Sequence, residues 1–550
     1  MIKSKLFIAI ASALTASLAF SAAAFSGGDG TEKSPYQVAS RQDLEELATL
    51  SMTDTLDGKY FVQTADISLD GESISVAVNE SIPFMGSYNG MDYDISDANL
   101  SVTNNTSGLF LYAKDADIKN IELKNAVLNA SAVSGGIVAK ATGETLIESC
   151  LFDGELCVPA TSLLGCTAGG IAGTLDADAS VKECTSVFKA DVEKCPLILY
   201  AGGIAGYSKG LVDKCTVHID VDAVSNNYIA AFGGIAGENS GVISGCETFG
   251  SISGKITNDV AQLYIGGVVA HNNGGKTERT VNKATLHAEG YDSYPCYIGG
   301  IAGYNQNGEI SVSGNNGTVN GTYSFAGGVT GINYASSGAS TVTECLNMGE
   351  ITVSNGITGG LVGGNLATDK AENVSTVSSS LNLYILTNGN GAIGSVQNDF
   401  VGITIAKNLY VRQMKDSNAK TLSDAVLTAT DGITGLESDA WVYPKNGMLP
   451  SLAVVKDLGK AEAIGASVNK NAGKVSYTVY NPGESFDAVA VIAFIKDNRI
   501  VGTKLDSITA TNGYGVHTAE SSFAKNADSV KIIVVDSLTG LTPVADSDNF

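Results

Sequence analysis

The chain has 550 residues, 44% of them apolar and only 16% charged, so it can bury a large core and its composition argues against disorder. Its formal net charge is −24, a field that repels phosphate backbones and anionic lipid and so disfavours nucleic-acid binding. Glycine is abundant at 64 residues and proline scarce at 9, which points to many turns inside an ordered protein.

Met-Ile-Lys-Ser-Lys forms a positive start, Leu6 to Phe20 is apolar and rich in small residues, and Ala22, Ala23 and Ala24 suit a signal peptidase. This order predicts a secretory signal over 1–24, too short and wrongly flanked to span a membrane. The expected location is therefore secreted, extracellular or cell-surface associated, with no membrane insertion after cleavage. Just beyond it, Ser40 is placed to cap a short helix whose apolar face carries Leu44, Leu47 and Ala48.

The middle of the chain is repetitive. A Gly-Gly pair followed by an aliphatic residue recurs with its first glycine at Gly135, Gly169, Gly202, Gly233, Gly266, Gly299, Gly327 and Gly359, at intervals of 34, 33, 31, 33, 33, 28 and 32 residues. A second element follows each pair, an aliphatic residue three before a small one. It reads Ile147 and Cys150, Val181 and Cys184, Val212 and Cys215, Ile243 and Cys246, and the same position later holds Thr280, Ser313, Cys345 and Ser380. Short strand-like runs broken by Gly, Asn and Asp fill each repeat, with no sustained helical period. Such units cannot bury their apolar side alone, but stacked as coils they share a continuous core, and an open end would need a cap. The Cys/Ser/Thr position is then an internal ladder of small unpaired residues, too widely spaced for disulfides. Cys157, Cys166, Cys195 and Cys296 lie off it, and their state is open.

Trp441 and the stretch 446–450 read as the last coil and its stop. From 461 onward the glycine repeat vanishes, and alternating runs at 475–480, 488–494 and 530–535 predict an antiparallel β-sandwich.

The Gly-Gly-aliphatic-x-Gly and aliphatic-x-x-Cys elements resemble the GLUG repeat of bacterial extracellular proteins, including large adhesins and some surface peptidases. The resemblance covers about 30–455, and it implies that the first strand, helix and strand form the N-terminal cap of the rod. The expected class is all-β: a right-handed parallel β-helix with a small cap containing one short helix, and a C-terminal antiparallel β-sandwich. The expected divisions are 1–24 signal peptide, 25–100 cap, 101–458 GLUG-type β-helix and 461–550 sandwich.

Little catalytic chemistry is visible. The glycine clusters recur every coil with no helix after them, unlike phosphate loops. His218, His271, His287 and His517 form no zinc motif, and no Cys-x-x-Cys occurs. We expect no catalytic, cofactor or metal site. Asp176 with Asp178, and Asp220 with Asp222, are expected to share strand faces and would be the carboxylate pairs of a polysaccharide-cleaving β-helix; solvated acids are the plainer reading. Tyr200, Tyr264, Tyr297 and Phe325 each precede a Gly-Gly pair by two residues. Strict alternation puts them on the inward face as an internal aromatic stack; a parity reset at the glycines would instead make an outer strip for sugar rings or a protein. The expectation is an adhesin-like protein presenting its rod to an extracellular glycan or protein, with an enzyme on the same scaffold or a structural spacer as alternatives.

Overall fold

The computed structural model describes residues 25–535 apart from short stretches, chiefly 159–164, 385–390, 413–418, 423–432, 444–449 and 455–461. The expected signal segment, 1–24, and the last residues, 536–550, lie outside the described residues. Among the described residues the chain is all-β with one α-helix near its start, and it divides into two units, Met1–Val454 and Val455–Phe550.

The first unit is a parallel β-helix. A representative coil runs through strands Ser180–Lys182, Thr185–Val192, Ile198–Gly202 and Ala205–Ser208, and the next coil starts at Leu211–Asp213. Register advances by one repeat: Val181 pairs with Val212, Phe188 with Ile219, Leu199 with Ala230 and Ala205 with Ala236, all in parallel. Among the described residues these strands form three parallel sheets of 28, 9 and 10 strands, the largest holding two strands from each coil. The parallel ladder begins well inside the expected cap, where Tyr36–Val38 pairs with Tyr60–Gln63, which pairs with Ser87–Asn89. Its last described rung is Lys420–Leu422. Trp441 lies beyond it in an antiparallel ribbon with Leu452 rather than in a coil.

The helix, Arg41–Leu50 (α1), is capped by Ser40 as expected and buries Leu44, Leu47 and Ala48. Asp43 is also buried, and it ties the cap together. Its carboxylate accepts from the backbone and hydroxyl of Ser26, from Ala39 N and from Ser40 Oγ. Phe25, Tyr36, Phe61, Phe84 and Phe110 continue the packing as neighbouring rings at centroid separations between 4.6 and 6.1 Å.

The small-residue ladder is buried throughout, from Cys150 to Ser380. Its chemistry is more specific than apolar filling. The residue before each rung is held in the left-handed region (Ser149, Glu183, Lys214, Gly245, Arg279, Val312, Glu344 and Ser379, φ between 48° and 65°), which bends the chain between the two strands of the largest sheet. The rung of the next coil then serves that bend. Cys150 N donates to Cys184 Sγ (3.3 Å), Cys215 N to Cys246 Sγ (3.4 Å), Thr280 N to Ser313 Oγ (3.3 Å) and Cys345 N to Ser380 Oγ (3.0 Å). The thiols and serine hydroxyls also donate to the carbonyl two residues back, as Cys184 Sγ does to Lys182 O and Ser313 Oγ to Ser311 O, while Thr280 Oγ1 donates to Ser313 Oγ of the next coil. A small side chain with both donor and acceptor is therefore required, which is why Cys, Ser and Thr interchange there.

Two asparagine ladders, not anticipated from the sequence, run beside it. Asn239, Asn272, Asn305, Asn333 and Asn365 link by amide hydrogen bonds of 2.7–2.9 Å, and Asn282, Asn315, Asn347 and Asn382 by bonds of 2.8 Å. All are fully buried, and their remaining N–H groups reach backbone carbonyls of the following turn.

The second unit holds two three-stranded antiparallel sheets. One comprises Glu462–Asn469, Lys474–Asn481 and Gly513–Glu520; the other Phe486–Lys496, Arg499–Ala510 and Ser529–Val535. Val475 and Tyr477 from the first share a core with Ile492, Phe494, Ile532 and Val534 from the second, which is a β-sandwich.

Two predictions follow from these contacts. Cys184→Ser should unfold within about 0.5 kcal/mol of the natural protein, whereas Cys184→Ala, by stranding the buried Cys150 N–H, should cost about 1–3 kcal/mol in urea unfolding. An apolar filler would give the opposite order. Burial pushes the Asp43 carboxyl up, but its hydrogen bonds from Ser40, Ala39 and Ser26 outweigh this and hold it below the ordinary value. Its contribution should be complete above about pH 4 and disappear as pH falls through the lowered folded-state pKa. Asp43→Asn should flatten that acid limb when hydrogen exchange of α1 is followed against pH.

Candidate functional site: an aromatic crease

In every repeat the chain turns through the Gly-Gly-aliphatic bend between the 9-stranded and 10-stranded sheets. Ile204 and Ala205 both enter the main core, as do Ile235 with Ala236 and Ile301 with Ala302. Two consecutive inward residues reset the alternation. The internal aromatic stack expected at Tyr200, Tyr264, Tyr297 and Phe325 is therefore corrected: these rings lie on the outer side. Their neighbours Leu199, Ala201, Leu263, Ile265, Ile298 and Ala326 face the main core, while Tyr264 belongs to a separate cluster with Ala231 and Ala270.

The outer surfaces of the two sheets meet in a crease. Gly206, Gly237 and Gly303 lie so close to the backbone of the facing sheet that an added Cβ would stand 2.4, 2.5 and 2.8 Å from its atoms. Above this floor, register stacks Tyr200, Ala231, Tyr264, Tyr297 and Phe325 on one wall and Tyr207, Glu238, His271, Tyr304 and Ile332 on the other. The rings touch along and across it. Tyr264 to Tyr297 is 5.5 Å between centroids, Tyr264 to Tyr304 5.4 Å, Tyr297 to Tyr304 5.2 Å and Tyr297 to Phe325 5.8 Å. Most of these side chains are half-buried, with Tyr228 exposed beside them.

Polar groups line the same crease. Tyr264 Oη donates to Gln262 Oε1 (2.5 Å), and Asn273 Nδ2 donates to Glu238 Oε1 (2.9 Å). His271 Nε2 and Gln306 Oε1 are 3.3 Å apart, while His271 Nδ1 is buried without a hydrogen-bond partner among the described residues. Burial lowers the His271 pKa, against the opposing pull of Glu238, so the ring is neutral at neutral pH. Burial likewise raises the phenols of Tyr200, Tyr264 and Tyr304, which stay protonated.

The other sequence candidates are scattered. Asp176 and Asp178 do not share a strand face, a second correction: they sit exposed in the turn between Ala172–Leu175 and Ser180–Lys182. Polar Asp-Ala-Asp closes the coil there instead of continuing the strand. Asp220 and Asp222 do point outward together from Thr216–Ser225, beside Lys189 and Asp191 of the preceding coil. His218 stacks on Phe249 at 5.0 Å, His287 is exposed, and His517 lies against Tyr477 in the second unit. Among the described residues no group of three or more His, Cys, Asp or Glu side chains is arranged to hold a metal ion. Of the off-ladder cysteines, Cys166, Cys195 and Cys296 are buried, and burial raises Cys166 and Cys195 to about 12. Cys157 is exposed in an open hollow of about 330 Å³ with Asn99, Ser101, Val102 and Asn129.

Compared with known proteins, the chain matches no family model and no curated relative.

These exposures set an expectation for thiol titration. Cys157 should react with an aromatic disulfide reagent in the folded protein, and the ladder cysteines Cys150, Cys184, Cys215, Cys246 and Cys345 only after denaturation. Cys157→Ser should abolish the fast phase.

Proposed function

We propose that the chain is an exported, adhesin-like binding protein that lays an extracellular glycan along the aromatic crease. The observation that carries this reading is the unbroken contact of outward rings from Tyr264 to Phe325, on a solvent-facing lane where packing of the main core does not require them. Half-exposed tyrosines offer an apolar face to the C–H surface of a pyranose and a hydroxyl to its oxygens. Gln262, Gln306 and Glu238 add hydrogen-bonding partners along the same lane. Successive strands are about 4.8 Å apart, so the lane spans several sugar rings along the helix axis. The acidic field works against sulfated or uronic-acid chains and leaves neutral or cationic ones. The signal-like start and the resemblance to GLUG-repeat surface proteins support export and a surface role.

The test is retention of residues 25–550 on immobilised polysaccharides and matrix proteins, with release of reducing ends followed in parallel. Tyr297→Ala, at a half-buried ring, should weaken retention of the bound glycan about tenfold, as expected for losing one stacked ring, with unchanged Cys157 reactivity as the folding control. Release of reducing ends that stops on Asp222→Asn would replace this reading with an enzyme. Retention by the second unit alone would make the rod a spacer.

A further inference from the structure

The aromatic row has one interruption, and a carboxylate of the crease, Glu238, stands beside it. Tyr200, Ala231 and Tyr264 are in register on successive coils, so the two tyrosines flank an alanine across two strand spacings, about 9.6 Å. On the facing wall, the same coil carries Glu238 where its neighbours carry Tyr207 and His271. Across the crease an added Cβ at Gly237 would stand 2.6 Å from the Tyr200 backbone, so the next residue, Glu238, stands opposite Tyr200. Tyr228 is 54% exposed and immediately precedes the strand Ile229–Gly233 that carries Ala231.

Glu238 has no ion-pair partner among the described residues. Its hydrogen-bond donor is the neutral amide of Asn273, and burial disfavours a charge on His271 beside it. Lys209 is one coil away, held over the Tyr207 ring at 5.3 Å. A carboxylate without a counter-ion, ringed by phenols, is complementary to an ammonium group: the charge meets Glu238 and the adjoining C–H surface meets the π faces. A sugar hydroxyl would satisfy the lone pairs but leave the charge uncompensated.

Building on the glycan-binding reading, we propose that Tyr200, Tyr228 and Glu238 form a subsite for a hexosamine residue bearing a free, protonated amine. The pyranose lies against the accessible faces of Tyr200 and Tyr228, above the buried Ala231 and Tyr264, and its ammonium donates to Glu238. Ala231 is fully buried, so the sugar rests on the rim of the gap and does not reach the floor.

The experiment is calorimetric titration of residues 25–550 with three β-1,4 hexasaccharides: glucosamine, N-acetylglucosamine and glucose. The amine-bearing chain should bind at least about tenfold more tightly than the other two, the difference expected of a charge-assisted contact. Glu238→Gln should reduce it to their level without changing theirs. Glu155→Gln, which removes an exposed carboxylate elsewhere on the rod, should leave all three unchanged; an equal loss there would assign the preference to overall charge and overturn the proposal. Equal binding of all three by the natural protein would also overturn it, while leaving the glycan reading standing. No binding of any of them, with Glu238-dependent binding of a lysine-rich peptide, would overturn the sugar as the source of the amine. No binding of sugars or peptide would remove both readings.

Discussion

The bend at the glycine pair is the constraint on which the rest of the first unit depends. The first glycine of each pair has no room for a side chain: a Cβ would stand 2.0 Å from a carbonyl oxygen at Gly135, Gly169 and Gly233, and 1.8–1.9 Å at Gly266 and Gly359. None of these has a positive φ, so glycine is demanded by close approach and not by backbone conformation. The second glycine meets the interior. Its missing Cβ leaves space for Phe152 at Gly136, Val217 at Gly203, Thr248 at Gly234, Asn282 at Gly267 and Asn315 at Gly300. The bend and the interior ladder are thus two sides of one contact, and a residue with any side chain at either glycine would force the coil open.

That contact also organises a change of chemistry along the rod. The position beside the second glycine passes from Phe152 through Ser186, Val217 and Thr248 to Asn282, Asn315, Asn347 and Asn382. A parallel change runs six residues after the first glycine, from Ala141, Leu175 and Ser208 to Asn239 and its successors. Early coils hold together by apolar packing and later ones by stacked amides. A half-satisfied buried amide costs more than an apolar core, so each ladder must be complete, and a slip of register by one residue would strand every amide in it. The hydrogen-bonded interior therefore specifies alignment in a segment where apolar contacts alone would tolerate sliding.

Much of this was legible in the sequence because the repeat is exact at the positions that matter. The Gly-Gly spacing gave the coil, the alternating runs after 461 gave the sandwich, and the interchange of Cys, Ser and Thr marked a small buried rung. The asparagine ladders were equally visible as spacing, six after the first glycine and two after the rung, but asparagine between strands looks like a turn signal unless the positions are aligned. The hydrogen-bonding duty of the rung was hidden, since it depends on a left-handed bend at residues as unlike as Val312, Glu183 and Lys214. The direction of the tyrosines was misjudged for a different reason. Alternation is a rule about uninterrupted strands, and Ile204 followed by Ala205 breaks it inside the bend. Asp176 and Asp178 failed similarly, because a strand pattern was extended through two turn residues.

The crease is a consequence of the same bend, and this is what makes it available for function. Each coil must place a residue two before the first glycine on the outer wall, in register with its neighbours, whatever that residue is. The lane accordingly holds Val133, Thr167, Tyr200, Ala231, Tyr264, Tyr297, Phe325 and Ile357 in turn, with the backbone pairing unchanged beneath them. The interior position beside the second glycine varies too, but there each side chain must fill the space that the missing Cβ leaves. A rigid stacked scaffold thus fixes where the outer side chains stand while leaving their identity free, so recognition is written by residue choice along one lane without altering the fold. The concentration of aromatic residues between Tyr200 and Phe325, flanked by Val133 and Thr167 on one side and Ile357 on the other, is a property of that choice, since the geometry alone imposes no ring at any of these positions.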